Sequence, residues 1–185
     1  MSEPRFRPWG TVTPEFWAMP ASGATPADRG LPPETLRARL VRVAEVARND
    51  RPHDAAALAT QLDQDVTAEY GELHLHTVQV REVRGYLAAL MADQATGLAW
   101  YLHALQLRVA IQGPRHPDVD EATRRAYSLW RAVPPEADRQ RLGTELLTIA
   151  TDIHGADSIV VRRIRERLYS LTLPSATTAP QLNSA

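Results

Sequence analysis

Three glycines, Gly71, Gly113 and Gly155, stand 42 residues apart, and each closes an apolar-periodic segment. A fourth, Gly30, falls one residue short of the same spacing. A unit of this length presents an apolar face that it cannot cover alone, so the chain must stack units against one another. The agreement extends past the glycine. Three residues on stand Pro33, His74, His116 and Ser158, each near the start of a new helical pattern. Fourteen residues on stand Ala44, Gly85, Tyr127 and Tyr169, of which the first two are small enough for helices to approach closely.

The segments between these joints read as helices. "PPETLRARLVRVAEVARND" opens on proline, which suits a first turn, and sets Leu36, Leu40, Val43 and Ala44 along one face. "DAAALATQLDQDVTAEYG", "GLAWYLHALQLRVAIQG" and "PEADRQRLGTELLTIATDIHG" each run into a glycine of the C-capping kind. "TVQVREVRGYLAALMAD", "HPDVDEATRRAYSLWRAV" and "DSIVVRRIRERLYSL" start just beyond a joint. No stretch alternates like a strand between turn dipeptides, so the chain is expected to be all-α.

This places a helical body at residues 30–172 between two different flanks. Residues 1–29 lack a sustained period but carry Phe6, Trp9, Phe16 and Trp17. Such rings are unusual in a free arm, and the arm is expected to pack on its own body, with a partner or a second copy as the alternative. Residues 173–185 are small, polar and proline-broken, and are expected to be disordered.

Composition narrows the chemistry. The chain has 185 residues, enough for one domain with a sizeable core, and a net charge of −1 that gives no global pull toward nucleic acid or anionic membrane. There is no cysteine, which excludes disulfides, thiolate metal sites and cysteine nucleophiles. All 21 basic residues are arginine, which excludes Schiff-base and P-loop lysines. No apolar run reaches the roughly 20 residues of a membrane span, and "MSEPRFRPWG" lacks a secretory apolar core. A cytoplasmic location is the expectation.

The block "IQGPRHPDVDEA", an apolar helix end followed by Gly-x-x-His-Pro-Asp, resembles the tetratricopeptide repeat in the longer form found in kinesin light chains and many bacterial proteins. Gly97, Tyr101 and Ala104 fit that family's small–aromatic–alanine spacing, and the resemblance covers residues 30–172. The third unit departs from it, with Arg139 where a small residue is usual and Gly143 where an aromatic is usual. The resemblance implies a right-handed superhelical solenoid of about three antiparallel hairpins, at 33–70, 74–112 and 117–154, with a cap at 157–172. It also implies a concave groove lined by the first helix of each hairpin. Carried over, the groove positions are Ala38, Val41, Glu45 and Arg48, then Gln79, Glu82, Tyr86 and Ala89. The third unit contributes Glu121, Arg124, Ser128 and Arg131, and the cap Arg163, Glu166 and Ser170.

Other residue types that suggest chemistry have a place in the repeat. His74 and His76 form an H-x-H pair that on a strand would bind metal through one face, but here they lie at a loop-to-helix joint. His74 and His116 are placed to accept a backbone N–H at a helix start, as Ser158 is at the fourth joint. No G-x-S-x-G, H-E-x-x-H or glycine-rich phosphate loop is present. No cofactor or metal is therefore expected, and the chain is read as non-enzymatic.

The function expected is an adaptor or scaffold for a protein or peptide. Apolar pockets around Val41, Tyr86 and Ala89 would give affinity. Arg48, Arg124, Arg131 and Arg163 would orient acidic groups, while Glu45, Glu82 and Glu121 reject them in the wrong register. An alternative is a regulatory protein that contacts phosphate or nucleic acid through "RRIRER", Arg162 to Arg167. Another is self-association through the aromatic arm.

Overall fold

The computed structural model describes residues 33–135 and 138–172. Among them are seven α-helices and no strand: α1 Pro33–Arg48, α2 Pro52–Tyr70, α3 Leu75–Leu90, α4 Gln94–Gln112, α5 Pro117–Ala132, α6 Arg139–His154 and α7 Ile159–Thr172. The all-α expectation holds, and the helices occupy the segments read from periodicity. The expectations for residues 1–29 and 173–185 fall outside the described residues.

Two kinds of joint alternate along the chain. Gly71, Gly113 and Gly155 end α2, α4 and α6 at φ of 83°, 85° and 80° with ψ of 173°, 157° and 155°. That extended, positive-φ backbone is open essentially to glycine alone, because a Cβ would strike the flanking carbonyl. The next helix is then capped from its own joint. His74 Nδ1 accepts from His76 N at 3.1 Å, His116 Nδ1 from Asp118 N at 3.2 Å, and Ser158 Oγ from Val161 N at 3.4 Å. Each supplies an acceptor to a backbone donor that has no partner within its helix. The other turns, between α1 and α2, α3 and α4, and α5 and α6, each hold a left-handed non-glycine residue: Asp50, Ala92 and Asp138.

Helices that follow one another in the chain pack together throughout, and α4 also touches α6. The apolar core falls into two clusters. One joins α1, α2 and α3 through residues such as Leu40, Leu62, Val83 and Tyr86. The other runs from Ala89 at the end of α3 through α4 to α7, around Leu102, Leu105, Trp130, Leu146 and Ile164. Helix α3 therefore touches apolar neighbours on nearly every side. No described helix is long and apolar enough to cross a membrane.

Small residues set the closest approaches. A Cβ on Gly85 would lie 3.0 Å from the Gly97 carbonyl oxygen and 3.0 Å from the Tyr101 ring, so α3 and α4 meet almost backbone to backbone. The departure at Gly143 has a different cause. A Cβ there would sit 2.4 Å from the Trp130 ring, so α5 supplies the aromatic that α6 lacks. Trp130 is fully buried, and its indole N–H donates to the Arg139 carbonyl oxygen at 2.8 Å. The buried ring is thus hydrogen-bonded as well as packed.

Candidate functional site

The buried charges determine which arginines remain for other tasks. The sequence of α3 places Val78, Val80, Val83, Tyr86, Leu87, Ala88 and Ala89 around its circumference, and all are buried. Its polar residues must then be buried as well, and buried charges need partners. Arg81 donates through Nε to Asp63 of α2 at 3.2 Å, through Nη2 to Glu72 at 3.1 Å and through Nη1 to His103 of α4 at 2.6 Å. A guanidinium has no acceptor, so His103 Nε2 is the unprotonated ring nitrogen. Arg84 closes on the second Asp63 oxygen and lies 3.8 Å from the centre of the Trp100 ring.

A second network begins at Glu82, which is 2 % exposed. Arg108 of α4 grips it with two parallel bonds, Nε at 2.7 Å and Nη2 at 2.8 Å. The same guanidinium reaches Gln112 at 3.2 Å and Asp118 of α5 at 3.4 Å, and Gln112 donates to Asp118 at 3.0 Å. Burial pulls the Arg108 pKa down, but the bonds to Glu82 and the charges of Glu82, Asp118 and Glu121 outweigh it and raise the pKa. Three successive helices are tied through one side chain.

Tyr101 lies beside this network, and burial, reinforced by the Glu82 charge and opposed by Arg125, pushes its pKa above the ordinary 10.0. The unfolded chain thus releases this proton first as pH rises. Stability from this group is complete below about pH 10 and declines above it. Tyr101→Phe keeps the ring packing and should flatten the decline. Urea unfolding of both proteins between pH 9 and pH 11 checks this, and parallel slopes would contradict it.

The groove positions carried over from the sequence divide into open and covered sets. Glu45, Arg48, Glu121, Arg124, Arg131, Arg163 and Glu166 are exposed, as is Val41 at 38 %, while Gln79 and Ser128 are half-buried. Glu82, Tyr86 and Ala89 are not on the surface. Glu82 is held by Arg108, Tyr86 belongs to the core with Leu36 and Leu40, and Ala89 packs near Gly97. The expectation that these three line an open groove is corrected, because α3 is covered on that side. Glu121 is engaged by Arg125 one turn on.

The histidines occupy joints and networks. His74 uses its Nδ1 on the backbone and stacks on Tyr70 with centroids 4.6 Å apart, and His116 likewise accepts a backbone N–H. His154 Nδ1 lies 3.6 Å from Asp120. Among the described residues, no group of three or more His, Asp or Glu side chains is placed to hold a metal ion.

What remains is a second arginine population. Arg124 and Arg131 lie seven residues apart on α5, two turns along one face, and both are exposed. Arg162, Arg163 and Arg165 are exposed on α7. None of these five has a carboxylate within ion-pairing distance among the described residues. Comparison of the chain with family models, characterised proteins and solved structures finds no match.

Proposed function

We propose that this protein is a non-enzymatic adaptor, a right-handed stack of antiparallel helical hairpins of tetratricopeptide type, that holds an acidic segment of a protein partner. One observation carries the reading: some arginines are held by carboxylates within the body, whereas Arg124 and Arg131 stand exposed on one helix face with no ion-pair partner among the described residues. Arg81, Arg84 and Arg108 are consumed by Asp63 and Glu82 inside the body, with the exposed Glu72 closing on Arg81 from the surface. Arg124 and Arg131 stand in solvent with no such partner. A guanidinium matches a carboxylate in two-point geometry, and two of them on one helix face select spaced acidic side chains. The register of Val41, Glu45 and Arg48 on α1 extends the same kind of surface, with Glu45 discouraging acidic segments in the wrong alignment.

The test is titration of the full chain with a fluorescein-labelled dodecapeptide of alternating Glu and Leu. Arg124→Glu with Arg131→Glu should weaken capture by about ten-fold or more, since each removes an attraction and adds a repulsion. Circular dichroism should be unchanged, because both side chains are exposed, and the melting temperature should fall only slightly, through the charge reversal of Arg131 in the last turn of α5. Equal binding by parent and variant would sink the reading. Tyr86 is unsuitable as a probe, since its removal would damage the core. Two outcomes would instead favour other readings. Stronger binding to duplex DNA than to the peptide would point to a nucleic-acid contact. A concentration-dependent dimer that disappears on removal of residues 1–29 would point to self-association.

A further inference from the structure

The 42-residue register equates α3 with α7. Ten and eleven residues beyond the joint glycine stand Arg81 and Glu82 in α3, and Arg165 and Glu166 in α7. Fourteen residues beyond stand Gly85 and Tyr169. In α3 this face is closed by a helix. Arg81 meets His103, Glu82 meets Arg108, and Gly85 lies against Gly97 and Tyr101, all on α4. In α7 the same three positions are exposed, Tyr169 at 67 %. The adjoining side of α7 is anchored, with Val161 and Ile164 fully buried in the core.

The outer face of α7 is therefore fixed in place, occupies the register positions that in α3 accept a helix, and is charged. Arg162, Arg163 and Arg165 outnumber Glu166 three to one. Apposing two copies of this face would bring like charges together, which disfavours a second copy as the occupant. A helix with carboxylates opposite Arg162 and Arg165 complements it, with an arginine opposite Glu166 and a small residue against Tyr169.

We propose that α7 docks an acidic amphipathic helix of a partner protein along the register positions through which α3 holds α4, at a wider separation because Tyr169 stands where α3 has Gly85. This deepens the adaptor reading and rests on it. The ring of Tyr169 then occupies the place that the Tyr101 ring fills between α3 and α4, contributed from the opposite helix.

The probe follows from α4 itself. It is a labelled, end-capped peptide of residues 94–112 carrying Trp100→Ala, Tyr101→Ala, His103→Glu and Gln106→Glu, and retaining Arg108, so that its two carboxylates outnumber its one arginine. Fluorescence anisotropy with the full chain should give saturable binding that a scrambled peptide of equal composition does not. Arg165→Glu in the protein should weaken it by about ten-fold, and a peptide carrying His103→Arg should restore binding to that variant. Restoration separates a specific pairing from general charge attraction.

Equal binding of the scrambled peptide, or no binding of the designed one, overturns the proposal. So does a dimer of the chain alone that Tyr169→Glu dissociates, which would assign the face to a second copy. Duplex DNA binding abolished by Arg162→Glu, Arg163→Glu and Arg165→Glu would overturn it in favour of nucleic acid. The Glu–Leu dodecapeptide captured through Arg124 and Arg131 reports separately. If it binds and the helical probe does not, only the α7 inference falls.

Discussion

Arg108→Ala is expected to destabilise the protein by about 3–5 kcal/mol, the range for removing one partner of a buried ion pair. The cause is less the loss of arginine than the fate of Glu82. That carboxylate is 2 % exposed and receives two hydrogen bonds from Arg108. Without the guanidinium it must remain charged in an apolar surround, take up a proton, or draw water between α3 and α4. Replacing both partners, Glu82→Leu with Arg108→Met, removes the charge together with its need for a partner. The double variant should be far less damaged than Arg108→Ala and lie close to the parent. Urea unfolding of the three proteins decides. A double variant as unstable as the single would mean that Arg108 acts through its tie to Gln112 and Asp118 rather than through Glu82.

Trp130→Ala is expected to cost about 3–5 kcal/mol, as for a fully buried large aromatic side chain. The more telling experiment concerns Gly143, on which a Cβ would sit 2.4 Å from the Trp130 ring. In the parent, Gly143→Ala should therefore destabilise by about 1–3 kcal/mol through overpacking. In the Trp130→Ala background the ring is gone, and alanine is favoured over glycine in a helix by about 1 kcal/mol. The same substitution should then become neutral or stabilising. A double-mutant cycle measures this change of sign. Additive effects would mean that Gly143 is small for a reason other than the indole.

The joints of the fold were legible because their causes are local. A glycine at positive φ and a side-chain acceptor three residues later are properties of a few consecutive residues. Gly71, Gly113 and Gly155, with His74, His116 and Ser158, accordingly announce them. Proline at the first turn does the same for α2 and α5. The burial of α3 was harder to read. Its register equates Glu82 with Arg124 and Glu166, and nothing within α3 states that Arg108, 26 residues away, will cover that one of the three. A signal was present, since "TVQVREVRGYLAAL" has apolar residues on every side and leaves no polar face for Arg81 and Glu82. The missing aromatic at Gly143 was visible as a departure. Its replacement by Trp130 depends on the packing of two helices and becomes apparent only in the fold. Among the candidate binding residues, those on α1, α5 and α7 lie on the surface apart from the half-buried Ser128, and those on α3 are buried apart from the half-buried Gln79.

The chain has no lysine, so every basic side chain serves through a guanidinium, in the framework or on the surface. The separation of these two sets is the central claim, and it can be observed directly. Arginine Nε–Hε resonances of the full chain can be followed by NMR during titration with the Glu–Leu dodecapeptide. Those of Arg124 and Arg131 should move and saturate together, while those of Arg81 and Arg108, held by Asp63 and Glu82, should stay in place. Movement of Arg108 ahead of Arg124, or no movement at either surface position, would contradict the claim.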